Sequence, residues 1–483
     1  MSGEVSTHPP QSPADQRALV AIDLGAESCR VSLLRWSDNT PVIELVHRFP
    51  NHAIERPDGL RWNLQHILAE LKQGLAACAE IATEGIRSIA VDGWAVDYVH
   101  LDAHNNPVAD PFCYRDERTL ASEPNLHHRL SPERMREVTG IQLLRINTAY
   151  QLFADSDEHR ALPWLNLPEY ILQALGGRPV SELTNASHTQ LLDLNGQWSP
   201  EIFAAVNASL TSAPTLVPPG TDLGPLTGPL SALPAFANTR LIAPACHDTA
   251  SAIAGIPSSL DSTLYISSGT WSLVGTRSRV PVTTPGAFAA GYTNLGAATG
   301  DLLVHSLINS MWVLKQCMDA WAAESRPWNI EDLIQQASAV TVPALLDMDG
   351  ETLMLDTNMP ARINTELVRL GNAPIPDIPG NEPLFARLIF ESLAARYASA
   401  LSSLEHMLGR KLTRIHILGG ASRNKLLTQL TAQRTGLPVE IGHPESTTIG
   451  NFAVQLAASE AVGQPIDPAS IRNWAAVLCG PQH

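Results

Sequence analysis

The 483-residue chain is short of paired cysteines, of basic charge and of long apolar runs. Its six cysteines, Cys29, Cys78, Cys113, Cys246, Cys317 and Cys479, show no Cys-x-x-Cys spacing. That scatter favours reduced cytosolic thiols over a disulfide framework or a cysteine zinc site. Lys and Arg number 32 against 48 Asp and Glu, a formal charge of −16. A surplus of that sign argues against nucleic-acid or anionic-membrane partners. No uncharged apolar run approaches the ~18 residues of a transmembrane helix. The first 17 residues are polar, carry Pro9, Pro10 and Pro13, and read as a disordered tail without a signal core. The length allows two or three domains, each with its own core.

What is present begins with a strand–turn–strand signature from Ala18 to Trp36. An apolar run ends in Asp23 and Gly25, Ser28 and Arg30 follow, and apolar residues resume at Val31. A buried strand delivers Asp23 to the tip, where its carboxylate can face a hydrated divalent cation. Gly25 lets the backbone approach a phosphate, and the amides of Ala26, Glu27, Ser28 and Cys29, with Arg30, can cradle anionic oxygens. A second hairpin runs from Leu264 to Thr276, with Ser267-Ser268-Gly269-Thr270 at its turn. Gly269 and Thr270 occupy the place of the turn after Asp23. The two lie about 240 residues apart, a period of a duplicated domain rather than of a solenoid repeat. Two such hairpins can close on a nucleotide from opposite sides; two unrelated glycine-turn hairpins are the plainer alternative.

The rest of the chain reads as mixed α/β. Val42–Phe49 is a third strand. Asn63 is placed to cap a helix carrying Leu64, Ile67, Leu68, Leu71 and Leu75, and Gly85 to end it. Ile86–Val91 is a buried strand leading into Asp92-Gly-Trp-Ala-Val-Asp97. The Pro- and Gly-rich stretch Val217–Pro234 reads as a surface connection or domain junction, and Leu241–Ala245 as a short strand. A long amphipathic helix is expected over Pro383–Gly409. The strand Leu412–Leu418 runs into Gly419-Gly420-Ala421-Ser422-Arg423-Asn424, which opens a further helix. That geometry suits a nucleotide, and equally suits close strand–helix packing. Pro444–Asn451 precedes an alanine-rich helix. The expected division is a tail over 1–17, a first domain over 18–240, a second over 241–465 and a C-terminal tail over 466–483.

His247-Asp248-Thr249 follows a strand and opens a helix, so Asp248 is held in place. Phosphoryl transfer to an alcohol needs one carboxylate for the hydroxyl proton, a metal to offset phosphate charge, and amides to position the γ-phosphate. Asp248 suits the first task and Asp23, through water, the second. Simple helix capping is the competing account of Asp248. Asp92, Trp94 and Asp97 suit a sugar, with the indole on its C–H face and the acids on its hydroxyls. A core Trp beside two solvated acids fits as well. Tyr114–Arg118 reads as a structural salt-bridge knot.

In order along the chain, this set resembles the FGGY family of carbohydrate kinases, within the acetate/sugar kinase, Hsp70 and actin superfamily, over about residues 18–465. Its more specific features are Val91–Tyr98, Cys113–Thr119, Thr139–Gln142, Asn147–Leu152, Thr184–Gln190, His247–Ser251 and Ser267–Ser272. The resemblance implies two RNase H-like α/β domains with an interdomain cleft. It implies transfer of the γ-phosphate of MgATP to the 1-hydroxyl of L-rhamnulose, with L-fuculose or L-xylulose as alternative ketoses, in a cytoplasmic monomer or homodimer. Ala26–Arg30, Gly269 and Thr270 surround the phosphates, and Gly419, Gly420, Ala421 and Asn424 lie on the adenosine side. Asp248 becomes the general base; Trp94, Ala95, Asp97, His247 and Thr249 become sugar contacts.

The chain departs from the family pattern at contact positions. Glu27 and Cys29 stand where Ser or Thr and Gly are usual, and Glu27 adds negative charge beside the phosphates. Ala95 replaces a Gly. Leu307 stands where a sugar-contacting Asn is often found, with Asn309 nearby. Glu27 and Leu307 leave open a sugar-sensing protein on a kinase scaffold. A sugar-independent ATPase is disfavoured by Trp94, Asp97 and His247.

Overall fold

The computed structural model describes residues 12–355, 357–461 and 463–480. The first hairpin is β1 (Ala18–Leu24) and β2 (Ser28–Ser37), extended by β3 (Thr40–Pro50). β1 is buried at every position, which is why its sequence is continuously apolar up to Asp23 instead of alternating. α1 (Leu64–Ile81) is capped by Asn63, whose side-chain oxygen accepts from His66 N at 3.1 Å. The helix ends at Ile81, before Gly85; Gly85, at φ +94°, instead turns the chain into β4 (Ile86–Gly93). After α2 (Leu167–Ala174) come β5 (Thr221–Pro225) and β6 (Arg240–Ala243). The sheet order is β5-β6-β4-β1-β2-β3, with β1, β4 and β6 parallel.

Two expectations change here. The stretch 217–234 is not only a connection, because β5 lies inside it. Gly224 and Pro225 are tolerated there because β5 is an edge strand. β6 also completes the first sheet, so that sheet draws on residues beyond 240.

α3 (Asp248–Ala254) leads to the second half: β7 (Thr263–Ser268), β8 (Trp271–Ser278), β9 (Tyr292–Gly296), β10 (Leu302–Asn309), α4 (Glu382–Leu408), β11 (Arg414–Leu418), α5 (Lys425–Thr435), β12 (Val439–Ile441), α6 (Ser446–Ala461) and α7 (Pro468–Cys479). The second sheet runs β9-β10-β8-β7-β11-β12. Here β7 pairs antiparallel with β8, and β8 with β10, while β7, β11 and β12 are parallel. The first sheet repeats this plan as β3-β2-β1-β4-β6. The two hairpins therefore hold equivalent places in two like-built halves, as a duplication requires.

Each half ends in a helix, α3 and α6, and these two pack together between the sheets. Leu19 and Ala21 of β1 and Tyr265 of β7 share one apolar cluster with Ile253, Ile449 and Phe452. The approach is close: a Cβ on Gly450 would lie 1.7 Å from the Ser251 carbonyl oxygen. The expected C-terminal tail is mostly α7, with Ile471, Trp474, Ala475 and Leu478 buried in that cluster. Its apolar stripe needs a partner, and the Trp474 ring meets Trp36 edge-on at 6.1 Å. Of the expected N-terminal tail, residues 1–11 lie outside the described residues. Residues 12–17 lie along the first half, where Arg87 donates to the Asp15 carbonyl at 3.3 Å. No helix among the described residues is long and apolar enough to cross a membrane.

Candidate active site

The parallel strands of the first sheet converge at their C-terminal ends. Asp23 is in register with Asp92, Leu24 with Gly93, and Gly93 bridges to His247. Asp23, Asp92 and the His247–Asp248 loop are thus brought together by backbone pairing alone. Asp23 accepts from Arg30 Nη1 at 3.0 Å, and the same guanidinium lies 3.7 Å from Glu445 of the second half. Burial pushes the Asp23 carboxyl up to about 6; Arg30 opposes the rise and the Asp248 charge adds to it. Asp92 is fully buried and raised well above the ordinary carboxylate range by burial, with the Asp23 charge adding. It accepts from Asn451 Nδ2 at 2.5 Å, and its other oxygen has no partner. This places Asp92 behind Asp23 and not on a sugar surface.

The turn itself is built closely. A Cβ on Gly25 would lie 2.4 Å from the Ser28 carbonyl oxygen, so no other residue fits without shifting the turn. Asn51 braces it, donating from Nδ2 to the Gly25 carbonyl at 3.0 Å. Glu27 is exposed, while Ala26 and Ser28 are partly open. Cys29 is fully buried, and burial pushes its thiol up to about 12, so it is a packing residue rather than a nucleophile.

Asp248 is the first helical residue of α3 and is not its cap; His247 holds the N-cap position. The capping account of Asp248 therefore fails. Its side chain is 34% exposed and lies 3.3 Å from His247 Nε2. Thr249 Oγ1 donates to it at 3.1 Å. Burial of the remainder pushes the carboxyl up to about 6. No Lys or Arg among the described residues pairs with it, so it is free to accept a proton. Burial holds His247 neutral, down to about 3, with its ring 3.8 Å from that of His188.

In the second half, Gly269 and Thr270 are exposed at the β7–β8 tip. Gly419, at φ +80°, passes so close that a Cβ there would lie 2.6 Å from the Ser268 carbonyl oxygen. The hairpin and the glycine turn thus adjoin. The helix after that turn does not open at the glycines: a short 3-10 turn, Gly420–Arg423, intervenes. Asn424 caps α5, accepting from Leu427 N at 3.0 Å, and its Nδ2 is left without a partner. Likewise Pro444–Asn451 does not precede its helix; α6 starts at Ser446.

The sugar-side residues divide. Trp94 and Ala95 are each 7% exposed, and Val96 beside them has φ +73°, a strained setting for a β-branched residue. Asp97 is fully enclosed. It accepts from Trp62 Nε1 at 2.6 Å, Trp94 Nε1 at 3.0 Å, Tyr114 N at 3.1 Å and Gln151 Nε2 at 3.0 Å. With its acceptors so occupied, Asp97 fixes the Trp94 indole instead of meeting a ligand itself. No ion pair among the described residues joins members of the Tyr114–Arg118 cluster; Arg118 instead pairs with the buried Asp155, outside it.

In the second half, β8 and β10 carry exposed apolar side chains. Val304 and Ile308 point into the core of the second half, while Leu303 joins the cluster between the sheets. His305, Leu307 and Asn309 therefore share the Leu303 side of β10. Leu307 and Trp271 are 37% and 39% exposed there, whereas Asn309 is fully buried and its Nδ2 donates to the Leu353 carbonyl. Asn309 thus does not replace the absent Asn. Sequence reading missed two groups: Asn451, and the buried acids Glu169 and Glu182 behind the His247 loop.

Two like-built α/β halves, with carboxylates and glycine turns at adjoining sheet edges, make the fold of a two-domain sugar kinase. Residues 18–255 match the N-terminal domain of the FGGY family of carbohydrate kinases, and residues 264–459 match its C-terminal domain. The chain belongs to that family. It is 34% identical to a rhamnulokinase of Bacteroides thetaiotaomicron over 94% of this chain and 92% of that protein. A rhamnulokinase of Enterococcus faecalis is 35% identical, over 92% of this chain and 90% of that protein. Among solved structures, a xylulose kinase from Rhodospirillum rubrum superimposes with a TM-score of 0.75, covering 95% of this chain and 92% of that one at 16% identity.

Proposed function

We propose that the protein transfers the γ-phosphate of MgATP to the 1-hydroxyl of L-rhamnulose. The observation that carries this is Asp248: a half-buried carboxylate, fixed at the start of α3 and unpaired with any Lys or Arg among the described residues. Rhamnulokinases that match over nine-tenths of the chain support the choice of ketose.

The chemistry follows from these positions. Asp248 accepts the O1 proton as O1 bonds to the γ-phosphorus, and the bond to the bridging oxygen breaks to release ADP. Turn amides of Ala26–Cys29 and of Gly269–Thr270 hold phosphate oxygens from the two sides. Gly419–Ala421 border the adenosine. Trp94 covers one face of the sugar, and neutral His247 with Thr249 hydrogen-bonds its hydroxyls. Among the described residues no three His, Cys, Asp or Glu are grouped to ligate a metal directly. Asp23, with the unpartnered oxygen of Asp92 behind it, suits a cation held through water, the mode Mg²⁺ favours. A bound Mg²⁺ would offset charge on the phosphates. Unpaired thiols suit the cytoplasm.

ADP release measured over L-rhamnulose, L-fuculose and L-xylulose tests the reading. L-rhamnulose should give the highest kcat/KM, and Asp248→Asn should cut its turnover by about 10²-fold or more while ATP still binds. Equal turnover by that variant removes the base; a different best ketose replaces the substrate.

A further inference from the structure

The helix that carries Asp248 is held at its start by groups outside it. His247 occupies the N-cap, and its side chain caps nothing. The loop is anchored from its surroundings. From outside, Gly93 N donates to the Cys246 carbonyl at 3.0 Å, and from α3 itself Ser251 Oγ donates to the Ala245 carbonyl at 2.9 Å. The two amides just before Asp248 go to a third place. Cys246 N donates to Glu182 Oε2 at 2.8 Å, and His247 N donates to Thr184 Oγ1 at 3.3 Å.

Those two acceptors are themselves locked together. Thr184 Oγ1 donates its single proton to Glu182 Oε2 at 2.5 Å, and Thr184 N donates to Glu182 Oε1 at 2.9 Å. With its proton so directed, the hydroxyl has only lone pairs to offer His247 N. Glu182 N in turn donates to Glu169 Oε1 at 3.1 Å, and Asn185 Nδ2 holds Glu169 Oε2 at 2.8 Å. Glu169, Glu182, Thr184 and Asn185 are all fully buried. Burial pushes Glu182 up to about 8 and Glu169 up to about 7. A fully buried network whose hydrogen bonds run from Glu169 and Glu182 to the Cys246 and His247 amides holds that loop in one place.

The same turn also touches the second half. Ser187 Oγ donates to the Thr184 carbonyl at 2.7 Å and accepts from Gly296 N of β9 at 2.9 Å. A Cβ on Gly296 would lie 2.9 Å from the Leu183 carbonyl oxygen, so the two segments are in close contact.

We propose that Glu182 and Thr184 are positioning residues for the phosphoryl-transfer base, setting the Cys246–His247 amides and through them the place of the Asp248 carboxylate. This rests on the reading of Asp248 as the base. Neither residue touches a substrate. A displacement of Asp248 by about 1 Å, transmitted along this chain, is enough to cost up to about 10²-fold in rate.

The test is a double-mutant cycle on the full chain, with L-rhamnulose and ATP as substrates. Thr184→Val keeps the side-chain volume and removes the acceptor. Its kcat should fall about 10-fold or more with the ATP KM within about 2-fold, and Thr184→Ser should recover most of the loss. In an Asp248→Asn background, Thr184→Val should cost less than about 2-fold further, because the group it positions is already gone. If Thr184→Val does not fold, Glu182→Gln is read by the same cycle. An unchanged kcat overturns the proposal. So does a loss that repeats in full in the Asp248→Asn background, or that tracks a fall in melting temperature and is not recovered by Ser. Retained turnover in Asp248→Asn alone overturns the base instead, a different failure and one visible before the cycle is closed.

Discussion

Asn451, one turn into α6 in the second half, donates from its side-chain amide to the buried carboxylate of Asp92 at 2.5 Å. Both residues are fully buried. The same Asn451 accepts from Gln455, which also donates to the Val20 carbonyl and accepts from Ser88. The two halves are thus joined by a polar thread that ends at Asp92, the strand partner of Asp23.

Asn451→Ala leaves both Asp92 oxygens without a donor in a buried site. An orphaned buried acceptor costs about 1–3 kcal/mol, more where it is charged. The melting temperature should fall by several degrees in differential scanning calorimetry. Asn451→Asp sets a second carboxylate against Asp92 and should cost more than Asn451→Ala. An unshifted transition in both variants would mean that Asp92 finds another partner.

The pH dependence of kcat/KM follows from Asp248. Its carboxyl is raised from the ordinary value of 3.8 to about 6, and the base must be ionised. Activity should therefore be level above about pH 7 and fall tenfold per unit as pH drops below about 6. Thr249 Oγ1 stabilises the ionised form by donating to it at 3.1 Å. In Thr249→Val the acid limb should move to higher pH. A limb that stays in place assigns the titration to another group.

Leu307 bears on which ketose is preferred. It is 37% exposed, two residues along β10 from His305. An apolar wall favours a substrate end that lacks a hydroxyl. L-rhamnulose should therefore be preferred over L-fructose, which carries a hydroxyl at the sixth carbon. Leu307→Asn should narrow that ratio of kcat/KM by about 10-fold, the usual reach of one apolar contact. An unchanged ratio places the wall away from the sugar.

The parts of this fold that were legible in the sequence are those decided locally. β1 and β7 announce themselves as apolar runs cut by a polar residue and glycine, and α4 by its spacing and by Gly409, which ends it at φ +62°. α7 was missed and read as a tail, although its signals are local: Asp467 caps it, Pro468 opens it, and Ile471, Trp474, Ala475 and Leu478 fall at helical spacing. β5 was hidden because Gly and Pro suppress strand signals except at an edge. What no local pattern shows is the partner of a buried polar group. Asp97 reads as a ligand residue until Trp62, Gln151 and Tyr114 are seen to enclose it. Asn451 lies 359 residues from Asp92, and only the pairing of two duplicated halves brings them together.

Glu27 sets an acid in the phosphate turn. Its side chain is exposed and makes no ion pair among the described residues. A carboxylate about 8 Å from a phosphate group in water costs roughly 0.5 kcal/mol per unit charge, so the net charge of MgATP gives about 1 kcal/mol. Glu27→Ser should lower the ATP KM about 3- to 5-fold at ~10 mM salt. The gain should shrink toward nothing at ~1 M salt, where the screening length is about 3 Å. If the substitution instead raises the ATP KM, and more steeply at low Mg²⁺, then Glu27 swings inward to the hydrated cation and the departure from Ser or Thr is a gain in metal binding. The sign of one KM change therefore separates a solvated acid from a metal-side residue, without disturbing Asp23 or Gly25.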